Sequence, residues 1–162
     1  MICYRKATLE DLNRVWDYNM AMNPDEPRMQ RWRDSYIERN VDNRAATYVV
    51  VIDGEPVGEV TLDYFAEAYG NPEIRKYLAD GSKVGYLTAL RIRKEFEGKG
   101  YVSGLMRFVE QDAAKMGFTS LSIGVEAAES RNLAMYLHWG YTRFLISELD
   151  GGELVLFYAK EL

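Results

Sequence analysis

The strongest constraint on this chain is the run Thr47-Tyr48-Val49-Val50-Val51-Ile52, followed at once by Asp53-Gly54. A continuous run of apolar and β-branched residues suits a strand covered on both faces. Asp-Gly supplies the left-handed backbone that a two-residue hairpin turn demands. A second strand is therefore expected at Val57 to Phe65. In it Val60, Leu62 and Tyr64 share one face, and Glu59, Thr61 and Asp63 share the other.

Elements before and after this hairpin are set by periodicity. Ile2 to Lys6 reads as a first strand. Thr8 reads as a helix N-cap with Asp11 three residues on, a loose capping box. Leu9, Leu12, Val15, Trp16 and Asn19 then recur at helical spacing, giving a helix over 9–20. Asn23-Pro24-Asp25-Glu26-Pro27 breaks the chain, and Met29, Trp32, Arg33, Tyr36 and Ile37 predict a second helix near 28–40. A short helix is expected from Asn71-Pro72 through Leu78, and a strand from Val84 to Arg93. Val102, Leu105, Met106, Val109, Ala113 and Met116 give the clearest helical stripe, with Gly117 as its C-terminal cap. Leu121, Ile123 and Val125 alternate as a strand, Ser130 to Trp139 reads as a helix ended by Gly140, and Tyr141 to Leu149 and Leu154 to Lys160 form a hairpin through Asp150-Gly151-Gly152. No repeat, low-complexity segment or linker interrupts the order. The expectation is a single α/β domain over 1–162, with a mixed, mostly antiparallel sheet flanked by helices.

Composition narrows the function. The 162 residues hold 20 Lys plus Arg against 25 Asp plus Glu, a net charge of −5, which argues against a nucleic-acid partner. One cysteine excludes an internal disulfide, and with one histidine it leaves no soft metal site, so no metal is expected. No apolar run reaches a membrane span of roughly 18 residues and no signal peptide opens the chain. A soluble, cytoplasmic protein is expected, with no membrane partner. Cys3, between Ile2 and Tyr4, reads as a small buried hydrophobe.

The chemistry concentrates in residues 90–106. A strand runs into Glu97-Gly98-Lys99-Gly100, and this turn opens the long helix. First-turn amides of a helix lack internal partners and carry partial positive charge, and glycines let backbone approach an anion closely. The arrangement is a phosphate cradle. It lacks the Gly-Lys-Ser/Thr ending of a P-loop, and its glycines miss the Gly-x-Gly-x-x-Gly dinucleotide spacing. Over residues 91–107, Arg91, Arg93, Lys94, Lys99 and Arg107 outweigh Glu95 and Glu97, a local balance of +3 inside an acidic chain.

The element order and this loop together resemble the GNAT-type N-acetyltransferase family. Its hallmark, Arg/Gln-x-x-Gly-x-Gly/Ala, falls on Glu97 to Val102, with Gly98, Lys99 and Gly100 matching its common core and Glu97 and Val102 departing from it. A second family pattern, Tyr-x-x-x-Gly-aromatic, matches Tyr136, Gly140 and Tyr141, while Glu129 stands where Asn is frequent.

This resemblance implies a GNAT-like acyl-CoA N-acyltransferase fold and acetyl-CoA as co-substrate. Leu90 and Ile92 would offer backbone groups to the pantetheine and acetyl carbonyl. Glu97, Gly98, Lys99, Gly100, Tyr101, Val102 and Ser103 would form the pyrophosphate loop. The implied reaction moves an acetyl group to an amine of a small molecule or protein by direct attack on the thioester. Tyr136 would donate a proton to the leaving thiolate; otherwise it is a buried aromatic beside Leu133. Glu59 and Glu126 are the base candidates, each with a solvated surface carboxylate as the alternative. Acidic residues in 21–40 and 64–82 favour a positively charged acceptor, and the last two strands offer a way to a homodimer. A carboxylate about 5 Å from a phosphate would cost roughly 3 kcal/mol at an effective dielectric near 20, so the Glu97 side chain should point away and Lys99 or Arg93 should face the phosphates. Two other functions stay open. One is a catalytically weak CoA- or acyl-CoA-binding domain, motivated by Glu97, Val102 and Glu129. The other is an interaction domain using Trp32, Tyr36, Tyr64, Phe65 and Tyr69.

Overall fold

Local chemistry starts the elements where the sequence signals them. In the computed structural model, which describes residues 1–162, Thr8 and Asp11 close a full capping box. The Thr8 hydroxyl accepts from the Asp11 amide at 3.1 Å, and the Asp11 carboxylate accepts from the Thr8 amide at 2.8 Å. Asp53 and Gly54 both take left-handed backbone, with φ of 51° and 83°, as the hairpin turn requires.

The resulting order is β1 (Ile2–Lys6), α1 (Leu9–Met22), α2 (Met29–Val41), β2 (Ala45–Ile52), β3 (Glu55–Asp63), α3 (Pro72–Leu78), β4 (Val84–Ile92), a 3-10 turn (Lys94–Phe96), α4 (Tyr101–Lys115), β5 (Ser120–Glu126), α5 (Ser130–His138), β6 (Arg143–Asp150) and β7 (Glu153–Glu161). The strands form a seven-stranded sheet in the order β1-β2-β3-β4-β5-β7-β6. Pairing of β1 with β2, β5 with β7 and β6 with β7 is antiparallel; β4 pairs with β5 in parallel. The fold is therefore α/β with a mixed, mostly antiparallel sheet, as expected. No helix is long and apolar enough to cross a membrane.

Packing divides the chain into two compact units, Met1–Leu62 with Ala89–Val109, and Asp63–Thr88 with Glu110–Leu162. In the first unit β2 is buried along nearly its whole length, as its unbroken apolar run demands. Val15 of α1 packs on Val49 and Val51, while Tyr48 on the opposite face meets Phe108 of α4 edge to face at 6.0 Å. Trp16, Met29 and Tyr36 form a second cluster between α1 and α2. The polar face of β3 is buried too. Its cost is met by side-chain bonds: Thr61 shares a 2.7 Å hydrogen bond with Thr47, which also accepts from Asn40 at 2.9 Å.

In the second unit β7 lies between β5 and β6. Phe157 packs with Ala66, Ile74, Leu78 and Tyr86 under α3. The Ser122 hydroxyl donates to the Leu78 carbonyl at 2.7 Å, tying the end of α3 to β5. Tyr69 and Asn71 both donate to Glu148 of β6, which fastens the loop before α3 to that strand.

Three expectations are corrected. Cys3 is exposed, because β1 is an edge strand and its burial pattern is open at that position. Leu9 and Met116 lie at helix ends outside the buried stripes and are exposed. Tyr36 and Tyr64 are buried, so they offer nothing to an interaction surface, while Phe65 is exposed.

Candidate active site

The loop expected to hold phosphate belongs to the first unit. After Ile92 the chain passes Arg93, the 3-10 turn and Glu97, then Gly98 and Gly100 adopt φ of 72° and 83°. Side chains at such angles cost roughly 1–2 kcal/mol each, which explains both glycines. A Cβ built on either would meet no heavy atom within 4 Å. The space before this backbone is thus open, and the protein's own crowding does not require the glycines. The Gly104 amide closes the first helical bond of α4, to the Gly100 carbonyl at 3.0 Å. The amides of Tyr101, Val102 and Ser103 are therefore first-turn amides, at the positive end of the helix dipole. These residues suit an anionic diphosphate.

The side chains around the loop sort by partner. Glu97 is exposed. Arg93 is engaged elsewhere: it donates to Glu55 at 2.9 Å, and its guanidinium lies 4.1 Å from the Tyr18 ring centroid. Of the two cations expected at the phosphates, Lys99 is the one not held in an ion pair by this arrangement; its ammonium lies 5.9 Å from the Phe96 ring centroid. Ser103 accepts from Arg107 at 2.9 Å.

Leu90 and Ile92 sit half-buried in the last part of β4. Just before them Ala89 takes φ 57°, a left-handed residue inside a strand. The parallel register of β4 with β5 runs only from Val84↔Ser120 to Leu87↔Ile123. Left-handed backbone at a non-glycine residue is strained, and such strain gathers at functional sites. Nothing in the sequence around Ala89 signals it, since neither glycine nor asparagine marks the position.

Glu59 is only 2% exposed. The alternative of a solvated surface carboxylate does not apply to it. Its Oε1 accepts from Asn19 of α1 at 2.8 Å and from Arg91 of β4 at 3.0 Å, and the Arg91 guanidinium lies 5.1 Å from the Trp16 ring centroid. Burial pushes the Glu59 carboxyl above its ordinary range, although Arg91 and Asn19 pull it down. Sequence reasoning does not reach Asn19 and Arg91 in this role; the only signal is their matching helical and strand periodicity.

The second unit holds Tyr136 and Glu126. Tyr136 on α5 is partly buried, with Trp139 and Tyr141 packed edge to face at 6.0 and 6.5 Å. Burial, and then the charge of Glu129, push its phenol up, so it keeps its proton at neutral pH. Tyr141 is fixed below by a 2.7 Å bond to Glu110, which also accepts from Lys160 at 3.0 Å. Glu126 ends β5 and is exposed, opposite Val155 of β7. The structure thus places Glu59, Leu90, Ile92 and residues 97–103 in one unit, and Tyr136 and Glu126 in the other. No group of three or more His, Cys, Asp or Glu side chains could hold a metal ion.

The seven-stranded mixed sheet flanked by helices is the fold of the GNAT acyltransferases. Residues 9–141 match the model of the Acetyltransferase (GNAT) family, and the chain belongs to that family. No curated protein matches the sequence significantly. Among solved structures it is similar to an N-acetyltransferase from Staphylococcus aureus Mu50, at 16% identity and TM-score 0.71, over 99% of this chain and 98% of that one. It is also similar to the PaiA N-acetyltransferase from Thermoplasma acidophilum in complex with coenzyme A, at 18% identity and TM-score 0.66, over 100% and 99% of the two chains. A third is NAA60 from Arabidopsis thaliana with a bisubstrate analogue, at 17% identity and TM-score 0.70, over 99% and 98%. At these identities the likeness is one of fold.

Proposed function

We propose that this protein uses acetyl-CoA to acetylate an amine on a small molecule or a peptide, with residues 1–162 acting as one domain. The observation that carries the reading is the pair of left-handed glycines, Gly98 and Gly100, with open space before them at the start of α4. A diphosphate fits that cradle, and Lys99 adds a charge beside it. Acetyl-CoA, when bound, supplies an activated thioester. Backbone groups of Leu90 and Ile92 orient the pantetheine and the acetyl carbonyl.

The acceptor amine must lose a proton before it can attack. Glu59 is the first candidate to receive it, because burial has moved its carboxyl toward the pH at which a base works best. Glu126 is the second candidate. Tyr136 keeps its proton at neutral pH and supplies it to the leaving thiolate.

The test is thiol release from acetyl-CoA against a panel of amines covering polyamines, amino sugars and peptide N-termini. Turnover on at least one amine supports the reading. Saturable binding of acetyl-CoA with no turnover on any panel member would favour the catalytically weak binding domain instead.

A further inference from the structure

The phosphate loop has two left-handed glycines, and glycine loses more backbone freedom on ordering than any other residue. A loop of this composition would be loose unless something closed it. Phe96 ends the 3-10 turn before the loop, and Tyr101 begins α4 after it. Their ring centroids lie 6.3 Å apart at an interplanar angle of 57°. That is within the range where aromatic pairs attract. The same Phe96 ring lies 5.9 Å from the Lys99 ammonium, at the outer limit of a cation–π contact. One side chain thus lies beside both the far end of the loop and its only lysine. Both rings are half-buried, so they are neither core nor freely solvated.

We infer that Phe96 is a positioning residue for coenzyme A: it clips the loop shut against Tyr101 and holds the Lys99 ammonium ready for the diphosphate. This rests on the proposed acetyl-CoA reading. Phe96 itself touches no phosphate. It acts by lowering the conformational cost of binding, as preorganisation does in general. An acidic residue at Glu97, beside the clip, makes the lysine's placement matter more, because the loop's first position brings no cation of its own.

The experiment is calorimetric titration of coenzyme A into the wild type, Phe96→Ala, Lys99→Met, the double variant and Phe96→Tyr. Lys99→Met should weaken binding about tenfold through loss of a charged contact. Phe96→Ala should weaken it about three- to tenfold. The double variant should lose less than the sum of the two single losses, because part of the Phe96 effect passes through the lysine. Phe96→Tyr, which keeps the ring, should restore wild-type affinity. A Phe96→Ala variant that binds like the wild type overturns the inference, and so do fully additive losses in the double variant or a failure of Phe96→Tyr to restore binding. In those cases the wild type still binds and the acetyl-CoA reading stands. A wild type that does not bind coenzyme A overturns both.

Discussion

Arg91→Met tests the physical account of the buried carboxylate. Glu59 has 3% of its side chain exposed and Arg91 has 36%, with 3.0 Å between Nη1 and Oε1. Methionine keeps the contact with Trp16 and removes the charge. Breaking a fully buried pair costs about 3–5 kcal/mol, because the remaining ion is left uncompensated. Arg91 is more than a third open to water, which screens the interaction, so about 2–3 kcal/mol is expected at pH 8. For a chain of this length that is roughly 5–10 °C in Tm. The loss should depend on pH in a set direction. The folded Glu59 carboxyl already lies above its unfolded value, and removing Arg91 raises it further. A group raised in this way contributes its stability fully below the unfolded pKa and loses it as pH rises through the folded pKa. The deficit of Arg91→Met against wild type should therefore shrink as pH falls from 8 toward 5. Adding Glu59→Gln leaves Asn19 its acceptor and removes the stranded charge, so the double variant should recover most of the loss. Urea unfolding at the two pH values reads all of this. A deficit under about 0.5 kcal/mol, one that does not change with pH, or no recovery in the double variant would refute the reasoning.

Three further outcomes are expected at single positions. Gly104→Ala would put a Cβ into the Tyr4 ring, which packs against α4, so overpacking should cost about 1–3 kcal/mol in chemical denaturation despite the gain in helix propensity; Tyr4→Leu should relieve it. Gly100→Ala has open space but a φ of 83°, so it should lose about 1 kcal/mol of stability and weaken coenzyme A binding in the same titration. Tyr136→Phe removes the proposed proton donor, so turnover should fall about a hundredfold or more while acetyl-CoA binding stays; full turnover would remove the acid role.

Features written in adjacent residues were legible in the sequence. Thr8 with Asp11 marks the start of α1, Asp53-Gly54 marks the β2–β3 hairpin, and Gly98 with Gly100 marks the loop. Each is a local backbone demand met by a residue type suited to it. The surroundings of Glu59 were not legible, because its partners Asn19 and Arg91 lie 40 and 32 positions away and meet it only in the folded sheet. Cys3 departs from expectation for a related reason: alternation along β1 says which residues share a face, but only the strand order shows that β1 is an edge. Ala89 was invisible because alanine has no preference for the left-handed backbone it adopts.

The central claim is that this chain binds acetyl-CoA, and thermal unfolding with and without that ligand tests it most directly. At a ligand concentration one hundred times the dissociation constant, binding should add about 2.7 kcal/mol of stability. That corresponds to a rise in Tm of roughly 5–10 °C for a domain of this size. No shift at millimolar acetyl-CoA would contradict the account.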